Sequence, residues 1–222
     1  MEDDLTPVPE LTARGRASRA RIVQAATELM LERGVSATSI EDVLEAAGAS
    51  KSQLYHYFHG KHDLVQAVIE ASSAAVFAAQ QPHLATLDSW DAIEAWCNHI
   101  VGLKERNGCS LGCPLGTLTS ELASTDEASR ALLAQAYDHW EAHLRDGLAA
   151  MRRDGTLQPS ADVDVLATAT MASLQGGLLL AKATRSVRPL RIALAAAVTY
   201  LRTFEAPAPP AGPRPKTPKS HR

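Results

Sequence analysis

TSIEDVLEAAGASKSQLYHYF, residues 38–58, decides how this chain folds. Ile40, Val43, Leu44 and Ala47 recur at helical spacing, so the first half reads as a short helix with one buried face. Thr38 and Glu41 stand at capping-box spacing, each side chain able to meet a free backbone N–H of the first turn. Gly48 then permits a left-handed backbone that a residue with a Cβ would resist. A second short helix runs from Lys51 to Phe58, anchored by Leu54 and Phe58, which are one turn apart. Ser50, Lys51, Ser52, Gln53, Tyr55 and His56 remain to face outward. This is the pattern of a helix-turn-helix, which lays its second helix in the major groove of DNA.

Outward from this unit the chain stays helical. Upstream, Ile22, Ala25, Ala26, Leu29 and Met30 give a buried stripe to a helix from Ser18 to Arg33, stopped by Gly34. Downstream, His59-Gly60 breaks the chain and Lys61 opens a helix to about Gln80, with Leu64, Val65, Val68 and Ile69 on its apolar side. That helix is the physical link between the head and a longer helical body. Further helices are expected over Ser89–Arg106, Leu115–Ala123, Ser124–Arg153, Asp162–Arg185 and Pro189–Phe204. Ser124 and Glu127 give the third of these a capping box, and Gly155 ends it. The fold class is therefore all-α: an N-terminal three-helix DNA-binding domain over 18–64 and a larger helical effector-binding and dimerisation domain over 65–204. A disordered arm over 1–17 and a Pro-rich basic tail over 205–222 flank them.

Composition agrees. The chain has 222 residues, 45% of them hydrophobic and only 5% aromatic, enough for two helical cores. Its net charge of −3 excludes a globally basic protein, so any DNA contact must come from a local patch. Arg14, Arg16, Arg19 and Arg21 form an acid-free cluster ahead of the helix-turn-helix. No apolar run is read as a membrane span and MEDDLTPVPE lacks a leader's apolar core, so a cytoplasmic place is expected. Cys97, Cys109 and Cys113 do not form a secreted disulfide framework.

The run ARIVQAATELMLERGVSATSIEDVLEAAGASKSQLYHYFHGKHDLVQAVIE, residues 20–70, resembles the head of the tetracycline-repressor (TetR/AcrR) family of bacterial transcription regulators. LYHYF followed by Lys61 and Leu64 carries the resemblance best. GCPLGTLTSELA, residues 112–123, looks like one subgroup of the family. The resemblance implies a homodimer built on the last two helices, a small-molecule effector held in the body, and release from a palindromic operator when helix 4 moves. No cofactor, no metal and no enzymatic activity are expected. By position it assigns Thr38 and Ser39 to phosphate, at a helix N-terminus. Ser50, Lys51, Ser52 and Gln53 fall where base edges are read; Lys51 can donate to guanine and Gln53 can pair with adenine. Tyr55, His56 and Lys61 fall on the DNA backbone. Many relatives carry Gly or Ala near Ser52-Gln53, so their operators do not transfer.

The body offers Trp96, Cys109, Cys113, Leu115, Trp140, Met171 and Gln175 as candidate effector contacts, with Trp90 a further aromatic. Three readings of the cysteines stand open: buried apolar packing, a redox or electrophile switch at Cys109 or Cys113, and a zinc site with Cys97 and His99. His139 and His143, one turn apart, are surface or interface residues or a chelating pair. Gly176-Gly177 in a helix interior points to close helix packing, first at the dimer interface and otherwise within the subunit. An all-helical thiol enzyme and a constitutive DNA binder without a ligand are the rival functions.

Overall fold

Apolar stripes at helical spacing produce helices here and nothing else of regular kind: a computed structural model describes residues 11–110 and 112–207, and among them the only β contact is one bridge between Leu157 and Glu205. In chain order the helices are α1 (Ala13–Arg33), α2 (Ile40–Ala47), α3 (Lys51–Tyr57), α4 (Lys61–Ala78), α5 (Trp90–Arg106), α6 (Pro114–Leu122), α7 (Glu127–Arg153), α8 (Val163–Thr184) and α9 (Arg188–Arg202), with a short 3-10 turn at His83–Ala85 between α4 and α5.

α1 starts ahead of the expected Ser18. Thr12 caps it, its hydroxyl accepting from the Gly15 N–H at 3.1 Å, so residues 13–17 are helical and not an arm. Arg14 and Arg16 thus stand on a helix, for which arginine is well suited. The rest of the arm, 1–10, lies outside the described residues.

The cap of α2 is shifted by one residue from the expected pair. Ser39 and Asp42 form the capping box, with Ser39 Oγ accepting from Asp42 N at 3.1 Å and Asp42 Oδ2 accepting from Ser39 N at 2.8 Å. Likewise Asp126, not Ser124, caps α7, accepting from the Ala128 N–H at 3.2 Å. Gly48 takes the left-handed conformation required between α2 and α3, at φ 57° and ψ 40°.

One continuous core joins head and body. Ile22, Ala26 and Met30 of α1, Val43 of α2 and Leu54 of α3 close on Leu64, Val68 and Ile69 of α4. The core then runs through Leu84, Ile93, Trp96, Leu118, Leu133 and Leu144 to Met171, Leu174, Leu190 and Leu194. Burying each Val, Leu, Ile or Met side chain among these contributes about 1.5–3 kcal/mol.

Small residues set two close approaches. A Cβ on Gly147 would lie 2.3 Å from the Leu87 carbonyl oxygen, so α7 and the segment before α5 touch through bare backbone. A Cβ on Gly177 would stand 3.0 Å from Leu190 Cα and 3.1 Å from Ala193 Cβ, which places its close packing between α8 and α9 of one subunit rather than between subunits. Gly176 points to open space.

α8 corrects one further expectation. It is long and apolar enough, by length and composition, to cross a membrane. The reason is that it is apolar on two sides: Leu166, Met171, Leu174 and Leu178 are buried, while Val165, Leu179 and Leu180 are exposed. The chain after α9 folds back, with Gln158 N donating to Phe204 O at 2.9 Å and Ala206 N donating to Thr156 O at 2.9 Å. The basic tail therefore does not begin at 205; residues 208–222 lie outside the described residues.

Gly147→Ala is expected to cost about 1–3 kcal/mol through overpacking, read as a lower urea midpoint at unchanged slope.

Candidate functional site

The outward face of α3 is built by its cap. Ser50 Oγ accepts from Gln53 N at 3.2 Å while Gln53 Oε1 accepts from Ser50 N at 2.9 Å. This box starts the helix and engages the amide oxygen of the exposed Gln53. Leu54 and Phe58 are buried beneath it. Lys51, Ser52, Gln53, Tyr55 and His56 are all exposed, and Tyr55 is 48% exposed, which is unusual for an aromatic side chain and leaves its hydroxyl available. Lys51 pairs with Glu41 at 3.3 Å, a contact between two largely exposed groups that a phosphate can readily displace.

Ser39 is exposed at the N-terminus of α2. Thr38 is not: it is 1% exposed, and its hydroxyl donates to Gly34 O at 2.8 Å. Thr38 therefore fixes the turn, and only Ser39 is exposed at that helix start, its hydroxyl donating to Asp42 Oδ2 at 2.6 Å. Lys61 is half-buried at the first position of α4. The arginine cluster divides between two sides of α1. At about 100° per residue, Arg14 and Arg21 share one side and Arg16 and Arg19 the other. Arg16 Nη1 donates to Leu11 O at 2.6 Å and the Arg19 guanidinium lies 5.1 Å from the Phe58 ring centroid.

Two contacts without any sequence signal tie head to body. Glu121 of α6 accepts from the Val35 N–H at 2.7 Å, beside Gly34 at φ 95°. His62 Nδ1 of α4 lies 3.3 Å from Asp126 Oδ2, just before α7. Asp126 is held below the usual carboxylate range first by the Ser129 hydrogen bond and then by other contacts that include His62.

A cavity of about 950 Å³ opens between α1 of the head and the helices of the body. Its wall takes Val23, Gln24 and Leu31 from α1, Ala71, Ser72, Ala75 and Val76 from α4, and Ile100, Leu103 and Lys104 from α5. Cys113 and Pro114 at the start of α6, Trp140 of α7, and Leu174 and Leu178 of α8 also line it, and Arg16, Arg19, Glu28 and Glu70 add charged groups. Volume and lining suit a drug-sized apolar molecule. Among the sequence candidates Cys113 and Trp140 stand on this wall. Trp96 is fully buried and donates to Gln80 Oε1 at 2.9 Å, while Cys109, Leu115, Met171 and Gln175 are not part of the wall.

Residues 22–68 match the sequence family described as bacterial regulatory proteins, tetR family, and residues 89–196 match the C-terminal domain of LmrA/YxaF-like transcriptional regulators. An uncharacterised HTH-type transcriptional regulator of Mycobacterium tuberculosis is 31% identical over 186 residues, covering 78% of this chain and 88% of its own. The chain belongs to the TetR family. The transcriptional regulator AcuR of Cereibacter sphaeroides is 29% identical over 216 residues, covering 92% and 94% of the two chains. In fold, the regulator is similar to a TetR regulator from Chloroflexus aurantiacus, with a TM-score of 0.76 at 24% identity, covering 88% of this chain and 98% of that one. It is also similar to the reduced form of Escherichia coli NemR, with a TM-score of 0.72 at 26% identity, covering 86% and 100%. The regulator is thus a DNA-binding transcription regulator with an N-terminal helix-turn-helix, and not an enzyme.

The thiol-switch reading finds no support in the regulator's own chemistry. All three cysteines are buried. Burial pushes the Cys97 thiol up to about 12 and raises that of Cys113, opposing the thiolate that reacts. Cys109 adopts φ 56° and its thiol donates to Lys104 O at 3.6 Å. Among the described residues no cluster of three His, Cys, Asp or Glu could hold a metal. His139 and His143 stack against Phe77 of α4, with ring centroids 4.8 Å and 6.3 Å from it.

Iodoacetamide at pH 8 should label Cys97 and Cys113 in the folded regulator at least tenfold more slowly than in guanidinium-unfolded chain, as peptide mapping would read.

Proposed function

We propose that the regulator is a homodimeric repressor, active in the cytoplasm, that binds a palindromic operator through α3 and is released by a small molecule taken up in the cavity. The observation that carries this reading is the uninterrupted polar face of α3. Ser50, Lys51, Ser52, Gln53, Tyr55 and His56 all lie on it, over a helix anchored by Leu54 and Phe58, with Ser39 at the adjacent helix start and Lys61 behind. The domains divide accordingly: the head ends near residue 64, within α4, and α4 continues into the effector-binding body.

Val165, Leu179 and Leu180 on α8 and Ile192 and Tyr200 on α9 are exposed, and they are large hydrophobics gathered on two consecutive helices. A second copy would cover them and would hold two heads at fixed spacing, as two half-sites require. The cavity supports release because α1, a helix of the head, is one of its walls while α4, α5, α6, α7 and α8 form the others. An occupant that fits only when α1 and the body part slightly would change the angle of the head. The α6 contact from Glu121 to Val35 offers a second route, since Cys113 and Pro114 at the other end of α6 also touch the cavity.

Operator selection from random DNA and then gel-shift titration test the reading. Lys51→Ala and Tyr55→Ala should each weaken binding to the selected site; a base contact is worth about 1–3 kcal/mol, and only loss of a Lys or Arg contact to phosphate lowers the salt slope, by about 0.9. Tight sequence-specific binding by both variants would sink the assignment of α3.

Leu179→Glu should convert the regulator to a monomer in sedimentation and reduce operator affinity at least tenfold while helical content is kept.

A further inference from the structure

His139 and His143 stand one turn apart on α7 and so share one side of that helix. Their ring centroids are 5.1 Å apart and their planes meet at 69°, so the rings are not stacked on one another. Both pack against Phe77 of α4, with centroids 4.8 Å and 6.3 Å from it. His139 is exposed and His143 half-buried, so water reaches the pair.

The spacing is that of two ligands on one ion. An imidazole nitrogen meets zinc at about 2.0–2.1 Å, along the line from the ring centre. Two imidazoles held at angles between square and tetrahedral then have centroids about 4.5–5.2 Å apart. The observed separation falls within that range. The broad χ2 of histidine lets each ring turn a nitrogen toward the shared point. The same spacing on a helix supplies two zinc ligands in the H-E-x-x-H motif.

The nitrogens are also uncommitted: among the described residues no hydrogen bond reaches a ring nitrogen of His139 or His143. His62 differs, with one nitrogen 3.0 Å from Gln66 Nε2 and the other 3.3 Å from Asp126 Oδ2. His83 and His99 lie close as well, at 4.7 Å between centroids, but His99 Nε2 is taken by Ala79 O at 2.7 Å. Desolvation first, and then the charge of His139, lower the pKa of His143. Both favour the neutral ring, the form with a lone pair to give a metal.

The surrounding charge suits a cation. Glu70 and Asp138 line the groove beside His139, and no lysine or arginine lines it. Asp146 adds a further negative charge near His143. No group of three ligating side chains forms among the described residues, so the carboxylates act through their field and water completes the coordination. Imidazole donors select nickel, copper or zinc, whereas magnesium prefers oxygen.

We propose that His139 and His143 chelate one divalent late-transition-metal ion on the surface of α7, which pins both rings against Phe77.

The test is calorimetric titration of the full-length protein with nickel chloride and, separately, magnesium chloride. Nickel should bind and magnesium should not. His139→Gln and His143→Gln should each weaken nickel binding at least tenfold, because each removes the second, intramolecular ligand, with helical content unchanged by circular dichroism. His83→Gln should leave it unchanged. Nickel should also slow modification of His139 and His143 together by diethyl pyrocarbonate, read by peptide mapping, and His143→Gln should abolish the protection of His139. Undiminished nickel binding in either variant of the pair, protection that maps to other residues, equal binding of magnesium, or no binding of nickel overturns the proposal.

Discussion

The packing of α4 against α1 is the contact on which the rest of the regulator depends. Leu64, Val65, Val68 and Ile69 close the head's core against Ile22, Ala26 and Met30, and the same helix continues as a wall of the body. A three-helix head of this size buries too little surface alone to be robust. By sharing α4, it borrows the body's core, and the position of α3 becomes a function of where α4 lies. Anything that shifts α4 or α1 relative to the body therefore acts on the DNA-reading surface without touching it.

The cavity occupies the one place where that dependence can be used. Along α4 the stripe that is large toward the head, at Leu64, Val68 and Ile69, gives way to Ala71, Ser72 and Ala75 farther on. Short side chains on α4 leave volume that Val23 and Leu31 of α1 do not fill. The void thus arises beside the helix that sets the head's angle.

These features differ in how far the sequence discloses them. The helix-turn-helix is legible because its signals are local: period, glycine turn and two anchors within one segment. The cap of α2 is ambiguous by one residue because Thr38-x-x-Glu41 and Ser39-x-x-Asp42 overlap and both satisfy the pattern. Only the bond from Thr38 to Gly34 O distinguishes them, and it depends on the three-dimensional turn. The start of α1 is hidden because a run of arginines suits a solvated arm and a helix equally, Arg being a good helix former. The cavity is only partly legible. Aromatic side chains suggest a pocket, and Trp140 does line it, but Trp96 serves as core with its N–H on Gln80. A void walled by residues from six helices has no motif, since what defines it is missing volume. The ties from Glu121 and His62 are equally silent, each joining residues far apart in the chain.

The bond between Glu121 and Val35 bears on how this architecture can be recombined. The carboxylate approaches to within 3.1 Å of where a Gly34 Cβ would stand, and Gly34 holds φ 95°. Residue 34 is therefore constrained twice, by its own backbone angle and by a side chain from the body. A head transplanted from a relative with a bulkier residue there would fold around its own α2 and α3, yet would dock at a different angle on this body. Reader and sensor are not interchangeable modules: the chemistry of the seam has to be carried across with the head.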